Sequence, residues 1–222
     1  MISGLLLFDK PAGITSAGVV NAVKRLLPRG TKIGHAGTLD PFATGLLILL
    51  IGKSTRRCEE LMDEAKEYEA TIRLGATTET DDPESPPQPT PNASAPDGAT
   101  VETALKQFIG NIDQLPPAYS ALKVAGKRAC DRIRAGEMVT LKPRSVRIYD
   151  IAILDYAWPD LKVRINCGRG TYIRAIARDL GQVLGVGGHL IQLRRTASGG
   201  HRVDKAATFE TLKNEGVERY LI

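Results

Sequence analysis

The sequence predicts a mixed α+β protein, a mixed sheet with helices packed on it. Two observations carry this. Segments with a two-residue apolar period, at Tyr68–Leu74 and Leu161–Cys167, are interleaved with segments whose apolar residues recur at helical spacing, at Val19–Leu27 and Ile173–Leu184. Their spacing along the chain is irregular and no internal repeat is visible, which argues against a regular βαβ series.

Taken in order, Leu5–Phe8 reads as a short buried strand that ends where Pro11 and Gly13 force a turn. Thr15 or Ser16 can cap the helix that follows, with Val19, Val20, Val23, Leu26 and Leu27 on one face and Pro28 and Gly30 as its stop. The stretch GHAGTLDPFATGLL, residues 34–47, is a loop feeding a strand over Leu46–Ile51. Ser54 or Thr55 can cap a second helix with Cys58, Leu61, Met62 and Ala65 inward, and a half-buried strand starts at Tyr68. The six prolines between Pro83 and Asp97 and the lack of a periodic apolar face predict a mobile excursion. Thr100 is placed to cap a helix carrying Val101, Ala104, Leu105 and Phe108, closed by Gly110. A basic, irregular segment over 116–144 precedes strands at Val146–Leu154 and Leu161–Cys167. The last element expected is a helix on the stripe Ile173, Ile176, Ala177, Leu180 and Leu184, with Arg174 on its flank in the first turn.

At 222 residues with 42% hydrophobic content, the chain can bury a normal core as one domain. Its longest apolar run, Gly45–Ile51, is far below the roughly 20 residues that span a bilayer, and the N-terminus lacks the basic and cleavable features of a signal, so the expected location is the cytoplasm. Cys58, Cys130 and Cys167 are widely separated and form no metal-ligand pattern, which predicts reduced thiols and no metal. The net charge of +5 is modest but segregated. Ten acids face two bases over 59–84, whereas eight bases face two acids over 116–147 and eight face one over 162–202. A polyanion would favour the two basic segments, though solvated faces show the same composition.

The loop at 34–47 places one carboxylate, Asp40, among three glycines. Glycosidase and aspartic-protease chemistry would each require a second carboxylate, and none is evident nearby. GHAGTLD lacks the Gly-Lys-Ser/Thr ending of a phosphate loop, GVGGHL follows a helix where a dinucleotide fingerprint follows a strand, and a zinc deaminase signature is absent. What remains is a single acid acting as nucleophile or base, with glycines that let a substrate approach the backbone. The competing reading is an Asp-Pro turn with no chemistry, and pattern alone favours that turn, because Asp-Pro-x-x-x-Gly is ordinary turn composition.

The run GHAGTLDPFATGLL resembles the catalytic motif of the TruB/dyskerin-type RNA pseudouridine synthases. Other stretches match that family in its order: Leu7–Gly13 with its Lys-Pro pair, Lys66–Tyr68 leading into Ile72–Gly75, Pro116–Lys123, Gly170–Arg174 and Leu193–Thr196. The resemblance spans nearly the whole chain and implies the pseudouridine synthase fold, a central mostly antiparallel or mixed sheet flanked by helices with RNA-gripping insertions. It is similar above all to the bacterial branch, which modifies uridine 55 in the T-loop of tRNA without metal, cofactor or guide RNA. Carried over, it makes Asp40 the catalytic acid and Tyr68 the ring that stacks on the flipped uracil. Arg174 would pair with Asp40 and orient it, His35, Tyr172 and Leu193 would line the pocket, and Lys10 and Pro11 would support the loop. Lys123, Lys127, Arg128, Arg132 and Arg194 would grip the T-arm. The partner expected is tRNA alone, with no protein partner, no membrane and a monomeric enzyme. Bacterial members usually continue into a small C-terminal RNA-binding domain, and that domain is expected to be missing from residues 1–222. The alternatives are a guide-RNA-dependent rRNA enzyme of the dyskerin branch and a tRNA-folding chaperone with incidental catalysis.

Overall fold

The computed structural model describes residues 2–222 apart from Ala121 and Ala125, and the side chains of Lys123 and Arg128 lie outside the described ones. The chain begins β1 (Gly4–Lys10), α1 (Ser16–Lys24), β2 (Ile33–His35) and β3 (Thr44–Ile51), then a 3-10 turn (Gly52–Arg57), α2 (Cys58–Asp63) and β4 (Lys66–Leu74). Next come β5 (Ala76–Thr77), β6 (Gln88–Pro89), α3 (Gly98–Lys106), β7 (Gly110–Gln114), β8 (Lys123–Val124), β9 (Lys127–Arg128) and α4 (Ala129–Arg134). It ends with β10 (Arg144–Ala157), β11 (Asp160–Cys167), α5 (Ile173–Val183), β12 (Gly188–Ser198), β13 (His201–Arg202) and α6 (Phe209–Glu215). Two compact units result, one of residues 1–69 with 192–222 and one of residues 70–191. Among the described residues no helix is long and apolar enough to cross a membrane.

In the first unit, β1 runs antiparallel to β3 from Gly4 opposite Ile51 to Lys10 opposite Gly45. β2 adds antiparallel to β3, and β12 joins it in parallel through Arg194 and Arg195. Successive side chains of a strand face opposite sides. Leu6, Phe8, Leu47, Leu49 and Ile51 therefore pack on one side against Val19 and Val23 of α1, Leu27, and Leu212 of α6. Leu5, Leu7, Leu46, Ile48 and Leu50 pack on the other with Ala36 and Leu61. Both faces of β3 are buried, which is why its sequence is an unbroken apolar run without alternation.

The helix α1 begins as its sequence predicts: the Thr15 hydroxyl accepts from the Gly18 amide at 2.9 Å. Only Val19 and Val23 of the expected helix face are fully buried within α1, and Leu26 is exposed. Ser54 and Thr55 do not cap α2; they lie inside the 3-10 turn, and α2 starts after Arg57 without a side-chain cap.

In the second unit, β10 pairs antiparallel with β11 and β7. The expected alternation in β11 holds, with Leu161, Val163, Ile165 and Cys167 buried. The cap of α3 is Asp97 and not Thr100: its carboxylate accepts from the Thr100 amide at 2.7 Å. The stretch 83–97 contains β6, paired with β5, and is tied further by the Thr90 amide on Gly75 O and the Tyr156 hydroxyl on Pro96 O. The basic stretch 116–144 contains the short β8–β9 hairpin and α4.

Candidate active site

Asp40 sits on the loop between β2 and β3, and several groups fasten that loop by its main chain. Ser16, the first residue of α1, donates to Leu39 O at 3.0 Å and accepts from the Leu39 amide at 2.8 Å. The ammonium of Lys10, fully buried at the end of β1, donates to Pro41 O at 3.1 Å, Ile14 O at 2.8 Å and Pro11 O at 2.9 Å. Its three donors have three acceptors. Arg195, 2% exposed, donates from Nε to Leu46 O at 2.6 Å and from Nη2 to Gly37 O at 3.1 Å, so one guanidinium holds both ends of the loop. Thr15 caps α1 and so sets the turn from which Ser16 acts. The Gly13 amide adds a bond to Pro41 O at 2.8 Å.

Gly45 is required where the loop enters β3. Its φ is +100°, and a Cβ there would lie 2.3 Å from Arg195 O. A side chain would break the β3–β12 pairing that seats Arg195.

Burial and the charge of Arg195 lower the pKa of His35, at the end of β2, so it is a neutral imidazole at neutral pH. Its Nδ1 is buried without a hydrogen-bond partner among the described residues. Burial pushes Lys10 down to about 8, against the pull of the Asp40 carboxylate and with the help of Arg195. A consequence can be measured. Above about pH 8 the ammonium loses a proton, one carbonyl loses its donor, and the Asp40 loop loosens, so turnover should fall with a limb near pH 8. Between pH 8 and the ordinary lysine value of 10.5 the unfolded chain binds the extra proton, so this group's contribution to stability rises with pH over the same window. Turnover falling while the urea midpoint rises is the signature expected, and Lys10→Met should lack both.

The remaining predicted residues are placed as follows. Tyr68 is half-buried, the third residue of β4, and Leu193 is buried in β12. Pro11 is exposed, and its carbonyl is one of the Lys10 acceptors. Arg194, expected to grip RNA, makes a bidentate pair with Asp9 at 3.1 and 2.7 Å. In the second unit Tyr172 precedes α5, with its amide and carbonyl both bonded to the Gln114 side chain. Arg174 is buried, whereas a helix flank predicts solvent. It donates to Asp82 Oδ2, Thr80 O and Tyr119 O, each at 3.0 Å. Asp82 is itself held by the Thr80 hydroxyl at 2.5 Å and the Glu84 amide at 2.9 Å. Lys127 is exposed in β9, and Arg132 in α4 pairs with Glu137 at 2.5 Å. Ser16, Asp82 and Arg195 are absent from the sequence-derived site. Arg195 stands in the Leu193–Thr196 motif, where its neighbours Leu193 and Arg194 alone carry an expected role.

Among the described residues no group of His, Cys, Asp and Glu could hold a metal ion. The chemistry on offer in the first unit is one carboxylate on a loop fastened by its main chain, with a neutral imidazole at the end of β2.

Residues 24–173 match the family described as TruB family pseudouridylate synthase (N terminal domain), and residues 174–221 match the tRNA pseudouridylate synthase B C-terminal domain. This chain belongs to the TruB family. Among curated TruB relatives, tRNA pseudouridine synthase B of Thermobifida fusca is 47% identical over 97% of this chain and 76% of its own length. The protein of the same name from Corynebacterium diphtheriae is 48% identical over 95% of this chain and 72% of its own, and that of Phocaeicola vulgatus 45% identical over 93% and 90%. Of solved structures, the Cbf5–Nop10–Gar1 complex has a chain that superposes with a TM-score of 0.73 at 30% identity, covering 98% of this TruB-family chain and 57% of that one. An H/ACA RNP bound to a substrate RNA containing 2′-deoxyuridine gives 0.70 at 28%, covering 98% and 56%. The mixed sheet with flanking helices is thus the pseudouridylate synthase fold that the loop motif implied.

Proposed function

We propose that this chain isomerises uridine to pseudouridine at position 55 in the T-loop of tRNA, acting in the cytoplasm as a monomer, with no cofactor and no protein partner. The observation that supports it most is the fastened Asp40 loop in a chain of the TruB family. The reaction breaks the bond from C1′ to N1, turns the uracil, joins C1′ to C5, and moves a proton from C5 to solvent while N1 regains one. No water is consumed, so one carboxylate suffices. Asp40 serves by attack at C1′, by addition to the uracil ring or by removing a ribose proton, and each of these routes needs a single carboxylate.

In this reading the target base leaves its stack at a cost of about a few kcal/mol, offset by stacking on Tyr68 and by basic contacts to the RNA backbone. Arg174 orients Asp40, His35, Tyr172 and Leu193 surround the base, and Lys123, Lys127, Arg128, Arg132 and Arg194 take the T-arm phosphates. The test is tritium release from a bare tRNA transcript carrying C5-labelled uridine. Release of one label per tRNA is expected, and none when uridine 55 is replaced by cytidine. Release independent of that position, or dependent on an added guide RNA, would overturn the assignment.

A further inference from the structure

Between Lys10 and Cys58 the only acid is Asp40, against the bases Lys10, Lys24, Arg25, Arg29, Lys32, Lys53, Arg56 and Arg57. Lys10 is buried under the loop, and Arg57 is taken by Glu60 at 2.6 Å. The other six are exposed and have no ion-pair partner among the described residues. They come together on one edge of the first unit. Lys24 and Arg25 end α1, a turn closed by the Thr31 amide and hydroxyl on Pro28 O carries Arg29, and Lys32 immediately precedes β2. The Gly52 amide bonds Lys32 O at 2.8 Å, and Ile33 faces Ile51 across the ladder, which sets Lys53 and Arg56 of the 3-10 turn beside Lys32.

Helix-terminal charge accounts for Lys24 and Arg25, since cations offset the dipole at the end of α1. It does not account for Arg29, Lys32, Lys53 or Arg56. Unpaired like charges near one another repel, and a stretch of chain whose only acid is Asp40 suits an anion with evenly spaced charges. We infer that this edge is a second RNA-backbone surface, which rests on the reading above that the substrate is tRNA. Lys32 and His35 stand three residues apart at β2, about 10 Å at the rise of a strand. An RNA strand whose target nucleotide lies at the Asp40 loop has its neighbouring phosphates within reach of this edge. The contact is with phosphates, so it adds affinity without reading sequence.

The test compares Lys32→Gln/Lys53→Gln/Arg56→Gln with a control of equal charge change, Lys162→Gln/Lys205→Gln/Lys213→Gln, whose side chains are also exposed. Binding of unmodified tRNA transcript is measured from 50 to 200 mM salt. The first variant should bind about tenfold more weakly at 100 mM, and its log-log salt slope should be shallower by about 2, at roughly 0.7–0.9 for each phosphate no longer neutralised. The control should keep the wild-type slope. Equal weakening in both would reduce the effect to net charge, and an unchanged slope in the first would place the RNA elsewhere; either overturns the surface. Tritium release by the wild-type chain on the same transcript is scored separately, so that failure of the surface is distinguishable from failure of the function.

Discussion

Asp40→Asn should release tritium from the labelled transcript at least about 10⁴-fold more slowly than the wild type, the scale seen when a nucleophile or its base is removed from a unit that acts together. The amide matches the carboxylate in size but has neither its charge nor its nucleophilicity. The loop should keep its shape, because Ser16 bonds the main chain of Leu39, Lys10 that of Pro41, and Arg195 that of Gly37 and Leu46. Binding of tRNA should therefore stay within a few-fold of wild type. A variant that turns over within tenfold of the parent would exclude Asp40 from the chemistry, whichever atom of the nucleotide it is thought to touch.

Asp82→Ala should cost stability as well as rate. The Arg174–Asp82 pair is almost wholly buried, with side chains 5% and 2% exposed. Removing one member of a buried pair takes a short, desolvated charge contact from the other, at a cost of about 3–5 kcal/mol. For a chain of this size that is a drop in Tm of roughly 6–20 °C. The Thr80 hydroxyl and the Glu84 amide lose the Asp82 carboxylate oxygen in the same step. Asp82→Asn keeps an oxygen for them and should lose less in Tm. If Arg174 orients Asp40, both variants should lower kcat more than they raise KM. A Tm within about 2 °C of wild type for the alanine variant, well under the shift expected for a broken buried pair, would show that the Asp82 carboxylate is not what holds Arg174 in place.

Strands with a simple burial pattern were legible from the sequence. β3 is apolar throughout because both its faces are covered, and β11 alternates because its polar residues face outward. β12 is not legible, for the opposite reason: its second half carries Arg194-Arg195-Thr196, and nothing in the local pattern says that Arg195 lies inside. The same blindness enlarged the basic segment 162–202. Of its eight bases, Arg174 and Arg195 are buried and Arg178, Arg194 and Arg202 are ion-paired, so more than half of that charge is structural. Conversely, the acid-poor stretch around Asp40 was overlooked because long apolar runs dilute its bases. Asp40 itself could be singled out only by family resemblance, since a lone Asp-Pro turn says nothing about what fastens it.

One guanidinium holding Gly37 O and Leu46 O has a consequence for how the loop can change over time. Both carbonyls must stay within reach of the same planar group, so the number of residues between them is fixed. The exposed side chain of Thr38 can be exchanged, but an inserted or deleted residue would displace an anchored carbonyl of Gly37, Pro41 or Leu46. Length, more than composition, is what variation in this loop must preserve.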